Sequence, residues 1–157
     1  MQERRAILWF RNDLRLHDNE ALVDALQLNS EVIPVYVMDP RLFEGKTPLG
    51  FAKLGEFRRK FLLESLHNLR GQFRSKGAEL YIREGLPEEI IPQMAQELKT
   101  SSVYCNRERT TEEVYVQDQM EKNLWSIGQE MRYYRGKMLY HTADLPFPVT
   151  HLSLIHI

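Results

Sequence analysis

The sequence lacks the features that commit a chain to an unusual environment. Cys105 is its only cysteine, so no internal disulfide can form, and a reducing, cytoplasmic setting is the simpler expectation. Its strand-like neighbours Val103 and Tyr104 mark it as a small buried hydrophobe rather than a nucleophile. No apolar run approaches the ~20 residues of a membrane span, so no membrane partner is expected. Met1-Gln2-Glu3-Arg4-Arg5 leads into a short apolar run that ends at Arg11, which is not a secretory signal. An excess of one charge is also missing. The 21 Lys and Arg against 22 Asp and Glu leave a formal net charge of -1, so no global field draws the chain to nucleic acid or lipid. His141 and His151 stand far from any cysteine or carboxylate spacing that would make a metal site. Internal repeats and low-complexity tracts are absent as well.

What is present reads as ordinary globular material. A chain of 157 residues, 43% of them hydrophobic, suits one domain that buries roughly 70% of its unfolded surface. Ala6 to Phe10 is an apolar run that breaks into a polar loop and resumes as an amphipathic helix, as a buried parallel strand feeding a helix does. Asp18 or Asn19 can cap that helix, and Glu20 suits its positive end. Glu31 to Pro40 reads as a second strand, although Pro34 argues against a central position. A Gly/Pro-rich loop to about Ala52 precedes the longest helix, from about Leu54 to Lys76. Phe57, Phe61, Leu62, Leu66, Leu69 and Phe73 recur there at helical spacing as one apolar face, and Gly77 sits where the helix ends.

Strands at Glu79 to Arg83, Val103 to Asn106 and Gln129 to Arg135 alternate with helices. The first of these helices runs from Pro87 to about Lys99. The second starts at the capping box Thr110 and Glu113 and runs to about Ile127. Strict alternation predicts an α/β fold, a Rossmann-like doubly wound five-stranded parallel sheet flanked by helices. Such sheets bind ligands outside the carboxyl ends of their strands. Arg11, Asn12, Asp13 and Arg15 crowd one such end. They have two readings: they shape a pocket or an interdomain seam, or they form an internal Arg–Asp network that fixes the first loop. That loop contains no glycine, so neither the dinucleotide turn nor a P-loop can form there, which weighs against an unrelated nucleotide-binding enzyme. Arg58, Arg59 and Lys60, with Arg70, Arg74 and Lys76 further along, read as a solvated helix face rather than a phosphate-facing patch.

Trp9-Phe10-Arg11-Asn12-Asp13-Leu14-Arg15-Leu16-His17-Asp18-Asn19-Glu20-Ala21-Leu22 resembles the N-terminal signature of the cryptochrome/DNA photolyase family. Pro34 to Arg41, Phe57-Arg58 with Phe61 to Leu66, and Val103-Tyr104 with Glu108, Glu112 and Glu113 are similar to later segments of the same family. Gly136, Leu139-Tyr140-His141 and Asp144 to Phe147 resemble the linker of its DASH branch. Two places depart from the pattern. Lys53-Leu54-Gly55 has leucine where the family carries threonine, removing a polar group near the start of the long helix, and Lys137-Met138 replaces a small polar pair.

The resemblance implies a light-harvesting antenna domain over residues 1–135, the start of an interdomain linker over 136–151, and a missing helical domain that binds FAD. Residues 152–157 can be back-translated as a common transposon sequencing adapter. They are expected to be a read-through artefact, with the natural protein continuing past about His151. The full-length flavoprotein would use blue or UV-A light and FAD to repair cyclobutane pyrimidine dimers, with single-stranded DNA as the expected substrate. A blue-light photoreceptor with little repair activity is the alternative. The fragment alone would neither hold FAD nor act as a lyase, and DNA would be met only through the full-length protein. The implied pigment is methenyltetrahydrofolate, with a deazaflavin as the other choice. Glu108, beside Asn106 at the end of the fourth strand, matches the family's pterin-contacting glutamate. A carboxylate there can accept two N–H bonds from an aminopyrimidine edge; its other reading is a loop carboxylate paired with Arg107 or Arg109.

Overall fold

The structure, a computed structural model, describes residues 4–136 and Pro146. The elements run β1 (Arg5–Phe10), α1 (Glu20–Leu28), β2 (Glu31–Met38), α2 (Pro40–Phe43), α3 (Glu56–Ser75), β3 (Tyr81–Glu84), α4 (Pro87–Glu97), β4 (Ser102–Asn106), α5 (Thr111–Ser126) and β5 (Glu130–Tyr134). The five strands form one parallel sheet in the order β3-β2-β1-β4-β5, so the doubly wound α/β fold is as expected. The expected linker and the expected read-through segment lie outside the described residues, apart from Gly136 and Pro146.

Alternation along β1 decides the two cores. Ile7 and Trp9 join Val35, Val103, Cys105, Ile91, Met120 and Leu124 on the face covered by α4 and α5. Ala6, Leu8 and Phe10 join Tyr36, Tyr104, Ala21, Ala25, Leu66, Leu69 and Phe73 on the face covered by α1 and α3. A central parallel strand buried on both sides has no polar side to show, which is why β1 reads as an unbroken apolar run.

Local chemistry sets the ends. Asn19, not Asp18, caps α1 by accepting from the Leu22 N–H at 3.3 Å. Thr110 caps α5, and its hydroxyl donates to Glu113 at 2.8 Å. Gly77 takes φ +77° and Ala78 N–H closes back on Phe73 C=O, a Schellman ending that a residue with a Cβ resists. Pro34 is tolerated inside β2 because β3 joins only from Val35 onward, so at Pro34 the strand has β1 as its sole neighbour.

Three expectations need correction. Pro40–Phe43 is a short helix capped by Asp39 rather than loop. The long helix starts at Glu56; Gly55 occupies its cap with no side-chain bond, and Leu54 is instead buried. Phe57 and Phe61 do not share the core face of α3 but stand 89% and 70% exposed. Phe61 precedes Leu62 by one residue, about 100° around the helix, and so points away from the stripe through Leu66, Leu69 and Phe73.

Candidate functional site at the carboxyl edge of the sheet

The chain winds from β1 outward to β2 and β3, then returns to place β4 on the other side of β1. That reversal opens a crevice between the loops that leave β1 and β4, the place where such sheets take ligands. It brings Arg11–Arg15 against Asn106 and Glu108, nearly a hundred positions away in the chain.

In this half of the edge the polar residues satisfy one another. The Arg11 guanidinium lies 4.5 Å over the Trp9 ring, donates to Gln117 Oε1, and donates to the Glu113 carbonyl at 3.2 Å. Gln117 Oε1 also accepts from Glu108 N–H at 2.7 Å. Asp13 accepts from Arg11 N–H at 3.0 Å and from Asn106 Nδ2, which also donates to the capping Asn19 at 3.2 Å. Asn12 Nδ2 bridges Glu108 Oε1 at 3.2 Å and Glu113 Oε1 at 2.7 Å. Arg15 reaches Asp18 and the Gly136 carbonyl. Arg11, Asp13, Asn106, Glu108 and Gln117 are all buried, and buried polar groups persist only when paired in this way. Asn106 Oδ1 is the single buried side-chain polar atom without a partner among the described residues. It faces Gly136, where a Cβ would approach within 3.2 Å.

The other half of the edge, beyond β1 and β2, is open. A cleft of about 790 Å³ runs there, with Trp9, Phe10 and Tyr36 in its floor and Arg41, Lys53, Arg58 and Tyr115 among its walls. Asp39 and Glu88 grip Arg41 from two sides, Glu88 in a bidentate pair at 2.7 and 2.8 Å. Hydrogen bonds to Asp39 first and Glu88 second hold that guanidinium above its ordinary value. Lys53 Nζ meets both oxygens of Glu112 at 2.7 Å, tying the loop before α3 to the start of α5. Burial, then the nearby Asp39 charge, pushes the Tyr36 phenol up to about 12. Burial likewise pushes the Cys105 thiol up to about 12, leaving it a neutral core residue under β4. No cluster of three His, Cys, Asp or Glu placed to hold a metal occurs among the described residues, and no described helix is long and apolar enough to cross a membrane.

Of the expected site residues, Arg11 and Asn12 line this cleft, while Asp13, Arg15, Asn106 and Glu108 belong to the network beside it. Sequence reasoning overlooked Gln117, Asp39, Arg41, Lys53 and Tyr115 as site residues. Gln117 left a readable sign: it is the one amide in the inward stripe Gln117, Met120, Leu124 of α5. Asp39 and Arg41 close the family-like stretch Pro34 to Arg41, whereas Lys53 and Tyr115 lie on separate segments, the loop before α3 and the first turns of α5.

A doubly wound α/β domain with a ligand-sized cleft at its strand ends is the class defined by fold and site. A family model described as DNA photolyase matches residues 6–150. Cryptochrome DASH of Gloeobacter violaceus is 42% identical over 95% of this chain and 30% of its own length. A blue-light photoreceptor of Arabidopsis thaliana is also 42% identical, over 95% of this chain and 33% of its own. Among solved structures, a Synechocystis cryptochrome superposes with TM-score 0.89 at 41% identity, covering 98% of this chain and 32% of that one. An archaeal photolyase from Sulfolobus tokodaii gives 0.79 at 28% identity, covering 91% and 32%. The chain belongs to the DNA photolyase family and corresponds to the N-terminal domain of its DASH-type cryptochromes. It spans about a third of the length of the curated relatives it matches.

Proposed function

We propose that this chain is the antenna domain of a light-dependent flavoprotein and that the carboxyl edge of its sheet holds a light-harvesting pigment. The observation that carries the reading is the cleft itself, where an aromatic floor meets walls that carry Arg58 beside the carboxylate-paired Arg41 and Lys53 at the strand ends. Rings stack on aromatic side chains, and guanidinium or ammonium groups hold anionic tails. The Sulfolobus tokodaii photolyase was solved with two FAD molecules and is described as implying a novel light-harvesting cofactor. This supports a flavin-like or deazaflavin ring in the cleft as one choice. For methenyltetrahydrofolate the contact would be Glu108, which is 5% exposed and already accepts from Asn12. A pterin amine would have to approach along Asn12 and compete with its amide.

In the full-length protein, FAD in the remaining part would supply the light-driven electron for repair of a pyrimidine dimer, with single-stranded DNA as the expected substrate. Photoreception is the second reading, favoured by the Arabidopsis relative named as a blue-light photoreceptor. A cytoplasmic location rests on the single buried cysteine alone.

The test is to express the open reading frame extended past His151 and record its absorption as purified. Structured blue flavin bands, with or without a folate band nearer the ultraviolet, support the reading; UV-A-dependent cleavage of dimers then separates repair from sensing. Glu108→Gln should abolish a folate band, whereas Arg58→Ala should weaken a cleft-bound flavin. A colourless full-length protein that takes up none of these pigments sinks the proposal.

A further inference from the structure

The connection from α2 to α3 carries a small hairpin. Lys46 pairs antiparallel with Ala52, Thr47 N–H donates to Phe51 C=O at 2.7 Å, and Gly50 N–H donates to Thr47 C=O at 2.8 Å. Phe51 N–H donates to the Thr47 hydroxyl at 3.2 Å. Among the described residues, the hydrogen bonds of residues 46–52 all close within this strap. Its feet are fixed. Lys53 N–H donates to Gly45 C=O at 2.9 Å, and Gly45 packs so closely on α2 that a Cβ there would collide with the Arg41 carbonyl. On the other side Leu54 is buried. The middle is not pinned in this way, since Leu49 and Phe51 are 82% and 68% exposed. A segment with few buried contacts opens at low free-energy cost.

Thr47 and Pro48 of the strap line the cleft. At its end Lys53 Nζ meets both oxygens of Glu112 at 2.7 Å, the lysine side chain 25% exposed and the glutamate 75%. The strap follows β2 and Glu112 follows β4, and these strands flank β1 on opposite sides. The ion pair therefore crosses the carboxyl end of β1, where Trp9 and Phe10 lie in the cleft floor. We propose that Lys53 and Glu112 are the latch of this strap: when the pair breaks, residues 46–52 swing away from the floor and a ring-sized ligand enters or leaves the cleft. The proposal rests on the pigment reading above and adds how that site is gated. The two ties of this connection differ in strength as such a device requires. Arg41, beneath the first foot, is held by Asp39 and by a bidentate Glu88, so the foot stays in place. Lys53 has one carboxylate partner at a largely exposed site, a pair weak enough to part thermally and to loosen with salt.

The test places trifluoromethylphenylalanine at Phe51 of the full-length protein, follows its fluorine resonance without ligand, and measures the release rate of added FMN. Lys53→Gln and Glu112→Gln should each shift and narrow the resonance and speed FMN release about two- to fivefold. The double variant should go no further than either single one, because both remove the same bond. Exchanging the charges, Lys53→Glu with Glu112→Lys, should restore the resonance and slow release again, which a merely structural role for either residue would not produce. Raised salt should speed release from the unaltered protein and leave the double variant unchanged. A resonance that ignores all these substitutions, additive effects of the two single variants, or a charge exchange that fails to restore would each overturn the latch. FMN uptake judges the cleft reading separately. Bound FMN with an unresponsive resonance rejects the latch alone, and a resonance that follows the latch in protein that takes up no FMN rejects the flavin-like occupant alone.

Discussion

The two halves of the sheet's carboxyl edge are built in opposite ways. Between β1 and β4 the crevice is filled by the protein's own side chains, Arg11, Asp13, Asn106, Glu108 and Gln117 bonding to one another. Beyond β1 and β2 the edge is left as a cleft of about 790 Å³. The polar loop after β1 thus supplies structure as much as surface. The room for a ligand is framed by residues drawn from five separate connections. Arg11 and Asn12 belong to both halves, so the lattice also sets one wall of the cleft.

The contrast can be broken most severely at Asp13. Asp13→Ala leaves the Arg11 N–H and the Asn106 amide without their buried acceptor and should cost about 2–4 kcal/mol in urea unfolding. If stability stayed intact while pigment uptake vanished, the filled half would be a ligand site and the distinction would fail. A smaller effect is expected at high pH. Tyr36 under the open half and Cys105 under the filled half both have folded values near 12, above ordinary values of 10.0 and 9.0. Above about pH 9 the unfolded chain releases these protons first and so binds fewer than the folded chain. Stability should be fully present below that pH and fall as pH rises toward 12, by up to about 1.4 kcal/mol per pH unit for each group. Tyr36→Phe should remove its share, read from urea midpoints across that range. The smallest change is expected in the cleft walls, where Arg58→Ala should shift stability by no more than about 0.5 kcal/mol while still lowering pigment affinity.

Most of the fold was legible because its signals are local. The apolar run of β1, the Thr110 and Glu113 box, Gly77 and the strict alternation of elements each act within a few residues. The site was half legible. The loop from Arg11 to Arg15 stands out as polar residues at a strand end, and the family resemblance added Glu108, but Lys53, Tyr115 and Arg41 acquire meaning only when three connections converge. Phe57 and Phe61 misled for a different physical reason. An apolar residue at helical spacing is written the same way whether it meets its own sheet or another surface, and only the packed position of Leu62, Leu66 and Leu69 separates the two.

The edges of the sheet have a consequence for how such a domain survives alone. β3 ends the sheet on one side with Arg83 and Glu84, and β5 ends it on the other with Glu130 and Arg132, paired at 3.0 Å. A foreign strand seeking to extend the sheet would have to strip water from these charges before gaining a single backbone bond. Aggregation by strand addition is thereby discouraged at both ends. What such a piece leaves sticky are helix flanks, Phe57 and Phe61 on α3, Leu26 on α1 and Trp125 on α5, so detergent or polar substitutions there, rather than edge redesign, are the route to keeping it in solution.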